Sequence, residues 1–196
     1  MHVIADVKRR ISLGWLALCC FVASAALFGY ILSVTFPKLR QFSGGLDPFD
    51  SRFWGYSPSE AQTLLVALGA SGREYYANIQ LWFDTFYPAS YGLSRALCLY
   101  WLALPLRATR HGLAVPVKVY LVALPCVVMI LDWSENAAIS TMLATWRQLD
   151  ANQVAGASQL SFLKSVGTMI TDTMLLLMFA MYLVHRFMGR SASPAV

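Results

Sequence analysis

The segment "LDWSENAAI", residues 131–139, places Asp132, Glu135 and Asn136 inside an otherwise apolar run. Carboxyls three positions apart share one face of a helix, where they can hold a cation, relay a proton or anchor an arginine. Two further ionisable groups lie in apolar runs of their own: Arg95 in "YPASYGLSRALCLYW", and Asp172 near the C-terminus. Counted at 1.5 Å per residue from the basic residues Arg107, Lys118 and Arg186, Arg95 lies about 18 Å along its helix, and Asp132 and Asp172 about 21 Å along theirs. The count puts charges from three helices at nearly one depth and makes Arg95 the expected partner of Asp132, Asp172 or both. Facing lipid, four such residues would cost roughly 10–14 kcal/mol, so they are expected to face inward.

Neighbouring residues extend this polar face. Asp84, Pro88, Tyr91 and Arg95 recur at helical spacing, and Asp84, Tyr87 and Tyr91 lie on the side away from Arg107, where they would form a mouth. Asn136 and Ser140 continue the face of Asp132, Thr168 continues that of Asp172, and Ser24 falls at a matching depth. Asp132, Glu135 and Asp172 oppose a single arginine at this depth. At least one carboxyl must therefore be met by a proton, a metal ion or the cationic head of a ligand.

Other chemistries lack their residues. His2, His111 and His185 are not grouped with acids or thiols at ligand spacing, and Glu-x-x-His pairs are missing, so neither a metal site nor a cofactor is expected. There is no glycine-rich phosphate loop, GxSxG elbow or CxxC pair. Cys19, Cys20, Cys98 and Cys126 all fall in apolar runs, as packing residues do. No basic surface is interleaved with aromatics, so nucleic acid is not an expected partner.

The elements that must position these groups follow from hydropathy. Of 196 residues, 58% are hydrophobic and 13% charged, a balance that fits a polytopic membrane protein better than a soluble domain. Four runs, about 11–36, 81–106, 115–144 and 162–187, are long enough to cross a bilayer as helices, within one all-α transmembrane domain. "ASA" at 23–25 and "LALC" at 16–19 resemble processing signals, but the apolar run continues to Phe36, as in a retained helix. Basic residues at 8–10, at Arg107, Arg110 and Lys118, and at Arg186 and Arg190 predict both termini on the cytoplasmic side of a bacterial inner membrane. The net charge of +5 is then mostly an orientation signal. The outer loop, 37–80, contains "SPSE", in which Ser57 and Glu60 form a capping box with Pro58 at the first helical position. A short helix from Pro58 to about Leu68 is predicted, lying on the membrane or over the bundle mouth as a lid. Pro88 is expected to kink the second span.

The stretch "FWGYSPSEAQTLLVALGASGREYY", together with Asp132, Glu135 and Asn136, resembles small four-helix integral membrane proteins of bacteria. That resemblance spans most of the chain and implies the four-helix fold, with no activity attached. In architecture alone the chain is similar to sterol isomerase-like membrane proteins, which hold a cationic centre with buried acids; no motif aligns, so no catalytic residue carries over.

The expected function is binding of a small cation, a proton or a cationic amphiphile at Asp132, Glu135 and Asp172, with Arg95 setting the charge. Two alternatives stand beside it: a structural subunit of a membrane complex fastened by the same charges, and an intramembrane acid/base enzyme on a lipid-like substrate. Binding is favoured over catalysis. Four helices are few for a complete transporter, which points to an accessory role or a homo-oligomer.

Overall fold

A computed structural model describes residues 2–104 and 115–191, and all regular structure within them is helical. Of the basic residues expected to frame the second connection, Arg107 and Arg110 lie outside the described residues, and Lys118 falls in the helix that follows. Helix α1 (His2–Tyr30) runs through a π-helical turn, Ile31–Thr35, into α2 (Phe36–Phe42). The wide turn sits just before Pro37, whose missing N–H breaks the regular ladder. The first rod is therefore longer than 11–36. Helices α3 (Pro58–Ala67) and α4 (Gly69–Tyr75) follow, and a second π turn, Tyr76–Gln80, leads into α5 (Leu81–Ala103). Helix α6 (Val115–Ala144) matches the expected third span, whereas α7 (Ala151–Ser191) starts well before residue 162.

Three stretches, Arg10–Phe42, Val119–Ala144 and Ala151–Phe187, are long and apolar enough to cross a membrane. Helix α5 has the length but not the apolarity. The reason is its place in the bundle: α1, α6 and α7 all pack along it, so most of its surface meets protein. That setting tolerates Asp84, Ser94 and Tyr91, all buried.

Two cores sit at opposite ends. Near the α7 start, Phe49, Leu64, Leu65, Tyr76, Ile139, Met142 and Val154 form a packed cluster; at the other end Leu99, Leu102, Leu121 and Met178 form a smaller one. The first is built like the core of a soluble domain. Its α3 begins with the expected capping box, in which Ser57 Oγ accepts from the Glu60 N–H and the Glu60 carboxylate accepts from the Ser57 N–H at 2.7 Å. Gly69, at φ +64°, ends the turn after α3. The expected lid takes a different form. Ala61, Leu64 and Leu65 of α3 are buried in the core, and the segment that reaches over the bundle is the turn Phe49–Ser51 with Phe53 and Trp54 after it. This segment is held from both sides. Arg52 donates to the Asp47 carbonyl at 2.9 and 3.0 Å, and the Tyr56 N–H donates to Ser158 Oγ of α7 at 2.8 Å. Gly55, at φ +86°, lies so close to Ser158 that a Cβ would collide with it.

Candidate functional site

The segment "LDWSENAAI" lies on α6 and divides its work between two faces. One face meets a proline. Pro88 has no N–H, so the Asp84 carbonyl four residues earlier loses its helical donor. Asn136 Nδ2 donates to that carbonyl at 2.7 Å, and Trp133 Nε1 donates to the neighbouring Thr85 carbonyl at 2.9 Å. The two side chains thus satisfy the turn that the proline opens and bind α6 to α5. Asn136 and Ser140 border a separate groove of about 460 Å³ with Trp82 and Trp133, away from the charged centre, rather than continuing the face of Asp132.

The other face meets a lysine. Lys164 of α7 projects its Nζ between Asp132, at 3.3 Å, and Glu135, with which it forms a close ion pair. Tyr91 of α5 donates its hydroxyl to the other Asp132 oxygen at 3.0 Å, and Ser161 donates to Glu135 through a short hydrogen bond. Two acids of α6 therefore hold one ammonium, each braced by a hydroxyl, Asp132 by Tyr91 of α5 and Glu135 by Ser161 of α7. Asp132 and Glu135 are buried, Glu135 completely.

Two more acids approach this centre. Asp50, from the outer segment, lines both cavities that flank Lys164; Asp84 lines one of them. The Tyr76 hydroxyl donates to Asp50 Oδ2 at 2.5 Å while accepting the Phe49 N–H at 2.9 Å, and Gln80 donates to Asp84 at 2.5 Å. Asp50 Oδ1 is shielded from solvent and has no hydrogen-bond partner among the described residues. Burial pushes the Asp50 carboxyl above its usual range, against the opposing pull of Lys164 and Tyr76. Burial likewise pushes the Tyr76 phenol well up.

Arg95 belongs to a second layer. Its guanidinium forks onto both oxygens of Asp172, at 2.6 and 3.0 Å, and lies over the Tyr91 ring, 4.8 Å from its centre. Of the two partners expected for Arg95, Asp172 is thus the one engaged, and Asp132 is taken by Lys164. The expected single depth becomes two. Lys164 precedes Asp172 by eight residues, about 12 Å of helix, yet pairs with Asp132, so turns counted from Lys118 and Arg186 do not start from a common level.

Two hollows that share Asp50, Asp132 and Lys164 on their walls give the centre its access. One, of about 280 Å³, is walled by Phe28, Phe53, Trp54, Tyr87 and Tyr91, has Arg95, Asp132 and Lys164 within it, and is edged by Ser165, Thr168 and Met169 of α7. The other, of about 360 Å³, runs from Lys164, Asp50 and Asp84 towards Arg40 and Asp47, which are joined at 2.7 Å at the surface. The expected mouth residues are divided between these hollows: Tyr87 lines both, Tyr91 the first and Asp84 the second. Among the described residues no group of His, Cys, Asp and Glu is arranged to hold a metal ion.

Lys164 and Asp50 are the participants that the spacing argument missed. Lys164 had a signal, since 164, 168 and 172 recur every four residues on one face of α7. Asp50 had none, because a loop acid reaches a membrane site only through tertiary folding. Compared with known proteins, the chain matches no protein family, no curated protein and no solved structure. Its chemistry must be read from this geometry.

Proposed function

We propose that the chain is a four-span inner-membrane protein, with both termini in the cytoplasm, that binds a small molecule with a cationic head beside Lys164. The fourth span would be α5, which presents Trp82, Phe86, Leu93 and Tyr100 as a single exposed stripe. The observation that carries the binding reading is the surplus of acid beside an aromatic hollow, where Asp50, one oxygen of which has no hydrogen-bond partner among the described residues, joins Asp132 beside Lys164. Around Lys164 there are four carboxyls, Asp50, Asp84, Asp132 and Glu135, for one ammonium, so a second positive charge is accommodated without an unmatched cation. Phe28, Phe53, Trp54, Tyr87 and Tyr91 provide the π faces that attract a desolvated ammonium. The two cations that line this hollow are already engaged, Arg95 by both oxygens of Asp172 and Lys164 by Asp132 and Glu135, which leaves no free positive charge for a phosphate head.

The fastening role is favoured for Arg95 and Asp172 alone, where one cation meets one anion through a bidentate fork. Native mass spectrometry of the protein extracted gently from its own membrane tests the reading. A stoichiometric cationic molecule, lost in Asp50→Asn, is expected. A ligand-free chain held to another membrane protein would reassign the charged centre to assembly.

A further inference from the structure

The packing of the helices leaves one side of the hollow open. Among the described residues α1, α6 and α7 each pack along α5, and α6 packs along α7, whereas α1 and α7 are not packed along one another. The hollow beside Lys164 lies between them, with Phe28 of α1 on one edge and Met169 of α7, 58% exposed, on the other. Overhead the gap is crossed by Phe53 and Trp54, with the Trp54 ring 6.4 Å from that of Phe162 on α7. Below, Asp172 ends the polar wall with its side chain 45% exposed although Arg95 engages both its oxygens. A half-exposed carboxylate beside apolar Leu176 and Leu177 needs polar cover that lipid tails do not supply.

We infer that the ligand is a single-chain ammonium amphiphile that enters sideways from the bilayer through the cleft between α1 and α7. This rests on the cation-binding reading and adds the ligand's class and its route. The head lies against Asp50 and Asp132, and the chain leaves between Phe28 and Met169. A hollow of about 280 Å³ is at the small end for ligand pockets, which suits a head and the first part of one chain, with the remainder in the cleft. The chain gains little from leaving lipid, because lipid tails are as apolar as the cleft. Selectivity therefore resides in the head, and the tail fixes the direction of arrival.

The test uses the full chain in lipid nanodiscs with three probes: hexadecyltrimethylammonium and hexadecyl sulfate at low mole fraction, and tetramethylammonium in the buffer. Native mass spectrometry counts retained probe, and thermal unfolding reports protection. Wild type should retain one hexadecyltrimethylammonium, with at least about tenfold preference over the sulfate, a difference of about 1.4 kcal/mol. Met169→Trp should cut that retention about tenfold while leaving protection by tetramethylammonium unchanged, and Asp50→Asn should weaken both. Met169→Phe adds less bulk at the same edge and replaces Met169→Trp if that variant unfolds. Leu176→Trp, on the exposed side of α7, controls for added bulk. Retention that Met169→Trp, or Met169→Phe in its place, leaves unchanged, with Asp50→Asn still weakening both ammonium probes, would overturn the sideways route and keep the pocket. Failure of both ammonium probes to bind wild type, or indifference to Asp50→Asn, would overturn the pocket as well.

Discussion

Arg95 and Lys164 both stand among acids inside the bundle, and they are matched differently. Arg95 meets Asp172 alone, through a planar fork whose two bonds consume both carboxylate oxygens. Lys164 is a point charge shared between Asp132 and Glu135, with Asp50 and Asp84 lining the space around it. A closed pair fixes the distance between α5 and α7. An open cluster with excess acid can exchange a proton or a ligand, and it is the one with hollows beside it.

The largest effect should come from removing the shared cation. Lys164→Met leaves two buried acids without a counter-charge and should destabilise the protein by about 3–5 kcal/mol, measured by denaturant titration in detergent. Adding Glu135→Gln and Asp132→Asn should recover part of the loss, because neutral amides need no counter-charge. At the fork, Arg95→Met should cost less, about 2 kcal/mol, since Asp172 is half exposed and can be hydrated. Arg95→Met with Asp172→Leu should return close to wild type, as replacement of a whole ion pair often does. If both centres respond alike, the contrast between fastener and site fails.

Smaller effects sharpen the contrast further. Asn136→Ala should cost about 1 kcal/mol by leaving the Asp84 carbonyl without a donor. In a Pro88→Ala background that cost should shrink, because the new N–H at position 88 restores the helical bond, and a double-mutant cycle measures the coupling. The smallest effect is on pH dependence. The Asp50 carboxyl is raised by burial in the folded state, so its contribution is complete below the ordinary carboxyl range and lost as pH rises through the raised value. Stability should then fall with rising pH by at most about 1.4 kcal/mol per unit, while affinity for a cationic head rises over the same window. Asp50→Asn should flatten both curves, read by thermal melts and by hydrogen exchange at Phe49–Ser51.

The long apolar helices were legible because lipid and helical period constrain them locally, although the first rod and α7 run past their expected bounds. Ser57 and Glu60 gave the start of α3 for the same reason: a capping box is settled within four residues. The pairing was not legible. Depth counted from basic anchors assumes that every helix begins at one level, and α6 and α7 do not. Lys164 was overlooked because it sits at the start of an apolar run, where a lysine ordinarily reaches back to water. Asn136 looked like a third member of the charged face, but its role depends on Pro88, which lies on another helix. Asp50 reaches the site through Tyr76 and Phe49, contacts that no spacing rule anticipates.

Lys164 also has a consequence for the order of synthesis. Asp50, Asp84, Asp132 and Glu135 all leave the ribosome before Lys164, and Arg95 leaves it before Asp172, so until α7 arrives the growing chain carries four acids against one unpaired arginine. The acids that Arg95 does not meet must wait protonated or in contact with water, so the earlier helices reach their final charge pairing only with α7. The last helix completes the charge of the bundle, and a chain truncated before Lys164 would be a target for quality control.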